Sequence, residues 1–256
     1  MFPTPNCPDP TEPNNATSTG CSLNAKSCPA VDGVNTCTLV PGVYYGGWFV
    51  KSNVAVQLQP GLYYLAGGGI RVQAGSSIES VESASGIPPR VTIFSTEGPG
   101  CPSIGAQCQS AITFNASAAF EAKATSRDKV DEATGATILG SCTLILNAGG
   151  PNTCPWAGIL LWQDGTVAHP GAGGPTSVTI GGQSSLILSG TIYAPTSNVT
   201  IGAGNGTTGC TGDESTQACL SIQIISWTWK IDGQADVNMP FDPGELYQFP
   251  GRGLIE

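Results

Sequence analysis

The chain has 256 residues, of which only 11% are charged, and it carries 35 Gly, 20 Pro and a net charge of −9. That balance excludes nucleic acid and anionic lipid as natural partners, because both require cationic surface. Few residues favour exposed helix, and no run approaches the roughly 18 apolar positions of a membrane helix, so a turn-dense all-β fold is expected.

Ten cysteines and a single histidine are present. No CxxC pair occurs, and mixed zinc sites lack ligands, so disulfides in an oxidising, extracellular setting are the expected use. Met1 to Pro5 does not open a signal peptide. The residues are therefore expected to be the ectodomain of a longer protein.

Residues 1–38 are rich in Pro, Asn, Thr and Ser, without periodicity, and contain Cys7, Cys21, Cys28 and Cys37. They read as a disulfide-stapled irregular cap. Three pairings of these four are possible, and the local one, Cys7–Cys21 with Cys28–Cys37, is favoured.

From residue 39 to 240 the chain repeats itself. Pro41-Gly-Val-Tyr-Tyr45 recurs as Pro60-Gly-Leu-Tyr-Tyr64, and Gly46-Gly47 before Trp48 is echoed by Gly67-Gly-Gly69 before Ile70. Val54 to Leu58 alternates apolar and polar residues, as a half-buried strand does. An irregular insertion is expected near 99–137. It holds a Cys101–Cys108 loop, a strand at Ile112–Phe114, and the most helix-like stretch of the chain, Ala118 to Asp131. Strands resume at Thr143–Leu146, next to an expected Cys142–Cys154 bridge.

The clearest repeat lies between Ala157 and Val237. Gly158-Ile-Leu-Leu-Trp162, Gly190-Thr-Ile-Tyr-Ala194 and Ser221-Ile-Gln-Ile-Ile225 are each followed by a second run, at Ser177, Asn198 and Thr228. Val178 aligns with Val199, and Val199 with Trp229 across a longer connection that contains the expected Cys210–Cys219 loop. Self-similarity at this period marks a solenoid, and the Val, Ile, Thr and aromatic content makes it a β one. The expected fold is a single-domain right-handed parallel β-helix, with Val178, Ile180, Val199, Ile201, and Trp229 or Ile231 pointing inward in successive coils. Residues 241–256 are expected to form a tail packed on the last coil.

The order of these motifs resembles the extracellular, carboxyl-terminal region of Tad-type (tight adherence, Flp) pilus-assembly proteins. The resemblance rests on Gly42-Val-Tyr44 and Gly61-Leu-Tyr63, Gly158 to Asp164, Gly190 to Pro195, Ile224-Ile225 and Phe241-Asp-Pro243. Gly165 stands where the family pattern would place Arg. The resemblance implies a prokaryotic, surface-exposed, filament-associated and non-catalytic role. Its expected partners are pilus or other cell-surface proteins, further copies of the chain, and surface glycans.

Catalysis on such a scaffold would need two or three carboxylates converging beside a cation. Asp164, Asp213, Glu214, Asp232 and Asp236 are the available candidates, and each reads as a turn or solvent-facing residue. His169 lies in a loop with no nucleophile motif beside it. Gly67–Gly69 and Gly202–Gly206 lack the Lys-Ser/Thr sequel of a phosphate loop. No cofactor is expected, and a bound calcium ion would be incidental.

The aromatic residues are the remaining candidates. Tyr44, Tyr63, Trp162, Trp227 and Trp229 are the candidates for a ligand-binding face, set against the favoured reading of rings stacked within or along the fold. The alternative functions are a carbohydrate-binding adhesin module and, behind it, a polysaccharide lyase or glycosidase on the same scaffold.

Overall fold

The structure, a computed structural model, describes residues 21–96, 111–115, 117–130, 133–146, 154–164, 177–181, 186–203 and 219–233. The first strands are β1 (Cys21–Leu23), β2 (Ala30–Val31), β3 (Val34–Leu39), β4 (Gly42–Tyr45), β5 (Trp48–Val50) and β6 (Val54–Leu58). Next come β7 (Gly61–Ala66), β8 (Ile70–Val72), β9 (Ser77–Ser80), β10 (Arg90–Thr96), β11 (Ile112–Phe114) and β12 (Ala119–Ala124). A small hairpin, β13 (Lys129–Val130) and β14 (Thr137–Ile138), precedes a short helix, α1 (Ser141–Leu146). The last strands are β15 (Ile159–Gln163), β16 (Ser177–Ile180) and two long ones, β17 (Leu186–Ala203) and β18 (Cys219–Gly233).

The fold is all-β, with strands stacked in parallel into three ladders. The first holds β1, β5, β8, β11, β16 and the last parts of β17 and β18. The second holds β3, β6, β9, β12 and the first parts of β17 and β18. The third holds β4, β7, β10, β15 and the middle parts of β17 and β18. From β3 onward the chain visits second, third and first ladder in that fixed order on each pass. The long strands β17 and β18 each cover all three.

Alternation sends every second residue inward, and the inward residues stack on their own kind. In the first ladder Trp48, Ile70, Ile112, Val178 and Val199 lie in register, as do Val50, Val72, Phe114, Ile180 and Ile201. All ten are buried. In the second ladder the inward row runs Cys37, Val56, Ile78, Phe120 and Leu186. Burial of each Val, Leu, Ile or Phe stabilises the fold by about 1.5–3 kcal/mol. The Val178–Val199 and Val199–Trp229 alignments read from the sequence are the observed registers.

Several expectations need correction. The Ala118–Asp131 stretch is not helical: its core is strand β12, in register between β9 and β17. Its Ala, Glu and Lys favour helix, but Phe120, Ala122 and Ala124 are buried, and tertiary pairing overrides that propensity. Thr143–Leu146 belongs to helix α1, not to a strand. Within the expected insertion, β11 and β12 occupy ladder positions, and the described residues between β12 and β15 include the small hairpin and α1. The cap likewise does not extend to residue 38, because β1 and β3 are already ladder strands.

The repeated Pro-Gly-x-Tyr-Tyr motifs are also out of step. Gly42 pairs with Tyr63 and Tyr44 with Leu65, two residues off the motif alignment. A shift of two preserves the inward face, whereas a shift of one would reverse it. Ser221–Ile225 is displaced by one residue from its expected alignment, so that Gly190 pairs with Ile222 and Tyr193 with Ile225.

Two disulfides match the local pairings, Cys28–Cys37 and Cys142–Cys154. The second ties α1 to the segment before β15, where Trp156 and Ala157 pack against it. Cys21 is also disulfide-bonded. The Cys7–Cys21, Cys101–Cys108 and Cys210–Cys219 assignments involve residues outside those described, as does any packing of residues 241–256. No helix among the described residues is long and apolar enough to cross a membrane.

Candidate functional site

The outer face of the third ladder carries an unbroken apolar row. Val43, Tyr64, Phe94, Trp162, Tyr193 and Ile225 are in register from one pass to the next. At about 4.8 Å per strand the row is roughly 24 Å long. Phe94 and Trp162 have ring centroids 5.6 Å apart, and Trp162 and Tyr193 are 4.6 Å apart. Tyr64 is 40% exposed, and the next three rings are half-buried.

The local sequence explains the row. Each of these strands places a core-facing residue on either side of its outward ring: Tyr63 and Leu65 beside Tyr64, Ile93 and Ser95 beside Phe94, Leu161 and Gln163 beside Trp162. Those flanking residues are all buried, which pins each ring to the outside. Cross-strand aromatic neighbours stabilise such a pair by roughly 0.2–1 kcal/mol. The interplanar angles of 32° and 46° show neighbouring rings tilted against one another. Tyr64 has its hydroxyl held by Thr96, whose Oγ1 donates to it at 3.2 Å.

Of the five candidate binding residues, two are placed elsewhere. Tyr44 and Tyr63 are buried, at 4% and 0% exposure, and cannot meet a ligand. They pack inside with Trp48, in two edge-to-face contacts and one stack. Their hydroxyls donate to chain carbonyls, Tyr44 to Val40 at 2.5 Å, and Tyr63 to Gln59 at 2.7 Å and Leu39 at 2.9 Å. Burial raises the Tyr44 hydroxyl to about 12, offset in part by its bond to Val40, and raises Tyr63 well above the ordinary 10.

Trp162 belongs to the outer row. Trp227 and Trp229 are exposed at the far end of the stack, with Trp229 in register with inward Val199. The outer row's other rings, Tyr64, Phe94 and Tyr193, were not among the candidate binding residues. Their signal was the alternation itself: a ring between two core residues must face out.

Charged and polar groups are dispersed. The buried polar side chains among the described residues are neutral: Thr92 bonds Thr125 at 2.8 Å and the Ile159 carbonyl at 2.8 Å, and Ser197 donates to Gln163. Glu79 and Glu121 are neighbours on the second ladder, where Gln57 donates to Glu79 at 3.0 Å. Lys51 sits 3.7 Å from the centre of the Phe49 ring. A shallow groove of about 270 Å³ between Asn35, Asn53 and Ser77 is lined by no ionisable side chain. Among the described residues no three His, Cys, Asp or Glu side chains gather as a metal site. Of the candidate carboxylates, only Asp164 has a described side chain; Asp213, Glu214, Asp236 and His169 lie outside the described residues, and for Asp232 only the backbone is described. No family model, curated protein or solved structure matches the chain.

Proposed function

We propose that the chain is a non-catalytic extracellular structural or adhesive protein, built as a right-handed parallel β-helix. In this reading it is the surface-exposed ectodomain of a membrane-anchored prokaryotic protein of the Tad/Flp pilus-associated kind. The fixed order in which the chain visits its three ladders supports the β-helix, since a helix of strands is the simplest path with that order. Right-handedness follows from the general preference of parallel crossovers. Disulfides support an oxidising compartment. The motif order from Gly42 to Phe241 supports the pilus-associated assignment.

The observation that carries the adhesive role is the outer row from Val43 to Ile225. An apolar stripe across six passes of a regular scaffold is more than scattered surface hydrophobes, and such stripes serve contact with other surfaces. Because Phe94, Trp162 and Tyr193 are half-buried and tilted against one another, the row suits a protein surface with protruding apolar side chains. A glycan instead needs open ring faces. Tyr64, the most exposed ring and fixed by Thr96, supports carbohydrate binding as the second reading.

Immunogold labelling of the producing cells tests the proposal. Gold on the cell surface and along filaments is the expected result. Gold confined to the cytoplasm, or protein released in soluble form that degrades a polysaccharide, would refute it.

A further inference from the structure

The outer face of the third ladder is wider than its central row. Residues two positions further along a strand point the same way, which brings Tyr45, Asp164 and Trp227 to this face beside Val43, Trp162 and Ile225. Asp164 follows buried Gln163, and its amide donates to the Ser95 carbonyl at 2.9 Å, so the ladder continues past the end of β15. Its side chain is half-buried, and it stands about 6.6 Å along the strand from Trp162. Trp227 follows Ser226, whose hydroxyl is buried, and is 69% exposed. The charge on this face is one-sided. Arg90 is the only Lys or Arg on β4, β7, β10, β15 and the middle parts of β17 and β18. It lies at the corner where β10 pairs with β12, about 13 Å along the strand from Phe94, and its Nη1 donates to the Ala124 carbonyl at 3.1 Å.

We propose that this face takes a basic segment of a partner protein, in which an Arg lies across the rings with its guanidinium on the Asp164 carboxylate and apolar side chains to either side. The inference rests on the adhesive reading of the outer row and names the chemistry of what that row holds. An aromatic ring attracts a cation within about 6 Å of its centre. Arginine can stack on rings and also pair with a carboxylate through two parallel N–H bonds. Trp162 and Tyr193, with centroids 4.6 Å apart, and Asp164 two residues beyond Trp162 offer both interactions to one guanidinium. The net charge of −9 also draws a basic partner at long range and repels an acidic one, a second copy of the chain included.

Filaments sheared from the producing cells are the probe, and the full chain is titrated onto them at low and high salt. Wild-type binding should weaken at least about threefold as sodium chloride rises from about 0.05 M to about 0.5 M, because salt screens a partly exposed ion pair. Asp164→Asn should weaken binding at low salt at least about fivefold and remove most of the salt dependence. The salt series uses the wild type alone, so it decides the matter even where Asp164→Asn fails to fold. Salt-independent binding by the wild type, or equal binding by a folded Asp164→Asn, would overturn the basic partner. The adhesive row would then still stand if Phe94→Ser with Trp162→Ser abolished binding. Binding indifferent to that double substitution would overturn the adhesive reading and this inference with it.

Discussion

Gly46 and Gly68 meet backbone to backbone across two successive passes of the chain. A methyl group placed on Gly68 would overlap the Gly46 carbonyl, and Gly68 has φ of +74°. The neighbouring Gly47 is held in the same way against Gly69. This corner lies between the third and first ladders and sets the spacing at which Trp48 rests on Ile70.

Gly68→Ala should therefore cost about 3 kcal/mol or more, since the clash adds to the strain of a left-handed residue. Gly33→Ala is the control. It has φ of +83° with nothing within 4 Å of the new carbon, and should cost only about 1–2 kcal/mol. Denaturant unfolding of the two variants measures the difference, and equal losses would show that the close approach is unimportant.

Interior and exterior rings should respond differently. Phe114 and Phe120 stack inside at 4.6 Å, bridging the first and second ladders, and both are essentially unexposed. Phe120→Ala should cost about 3–5 kcal/mol through the cavity it leaves. Trp162→Ser, on the outer row, should cost about 1 kcal/mol, because it removes cross-strand contact from a half-exposed position. A larger loss at Trp162 than at Phe120 would place the outer row inside the fold.

Non-reducing peptide mapping should recover Cys28–Cys37 and Cys142–Cys154 as linked pairs. Replacing Cys28 and Cys37 together by Ser opens a loop with a sequence separation of 9, and should lower stability by about 2–3 kcal/mol. Recovery of either cysteine as a free thiol would contradict the pairing.

Alkaline pH should loosen the interior. Burial keeps the Tyr44 and Tyr63 hydroxyls protonated in the folded chain at pH values where an unfolded chain ionises them. Their contribution is complete below pH 10 and declines as pH rises from 10 through about 12 for Tyr44, and further for Tyr63. The Tyr44 share is roughly 2–3 kcal/mol. Tyr44→Phe with Tyr63→Phe should flatten the pH dependence of the melting temperature above pH 10. An unchanged slope would show that these rings do not carry it.

The stacking of Val178 on Val199 and of Val199 on Trp229 was legible in the sequence, because both residues and their alternating neighbours are written at matching places. The direction of Tyr44 and Tyr63 was not. A Tyr-Tyr pair must put one ring on each face, and which ring goes in is decided by tertiary packing, where Tyr44 and Tyr63 meet Trp48 in the interior. The outer row was hidden for the same reason: its rings come from unrelated motifs and align only once the strands stack. Strand β12 was misread because Ala, Glu and Lys speak for helix locally, whereas Phe120 finds its place only between Ile78 and Leu186.

The central claim, that the outer row is an adhesive surface on a surface protein, is tested most directly by binding. The purified full chain and its Phe94→Ser, Trp162→Ser double variant are incubated with filaments sheared from the producing cells, and with the cells' isolated polysaccharide. The account predicts that the wild type binds the filaments, and that the variant binds at least about tenfold more weakly while keeping its fold, the loss of two central ring contacts. Equal filament binding by wild type and variant, or binding by neither, would contradict it.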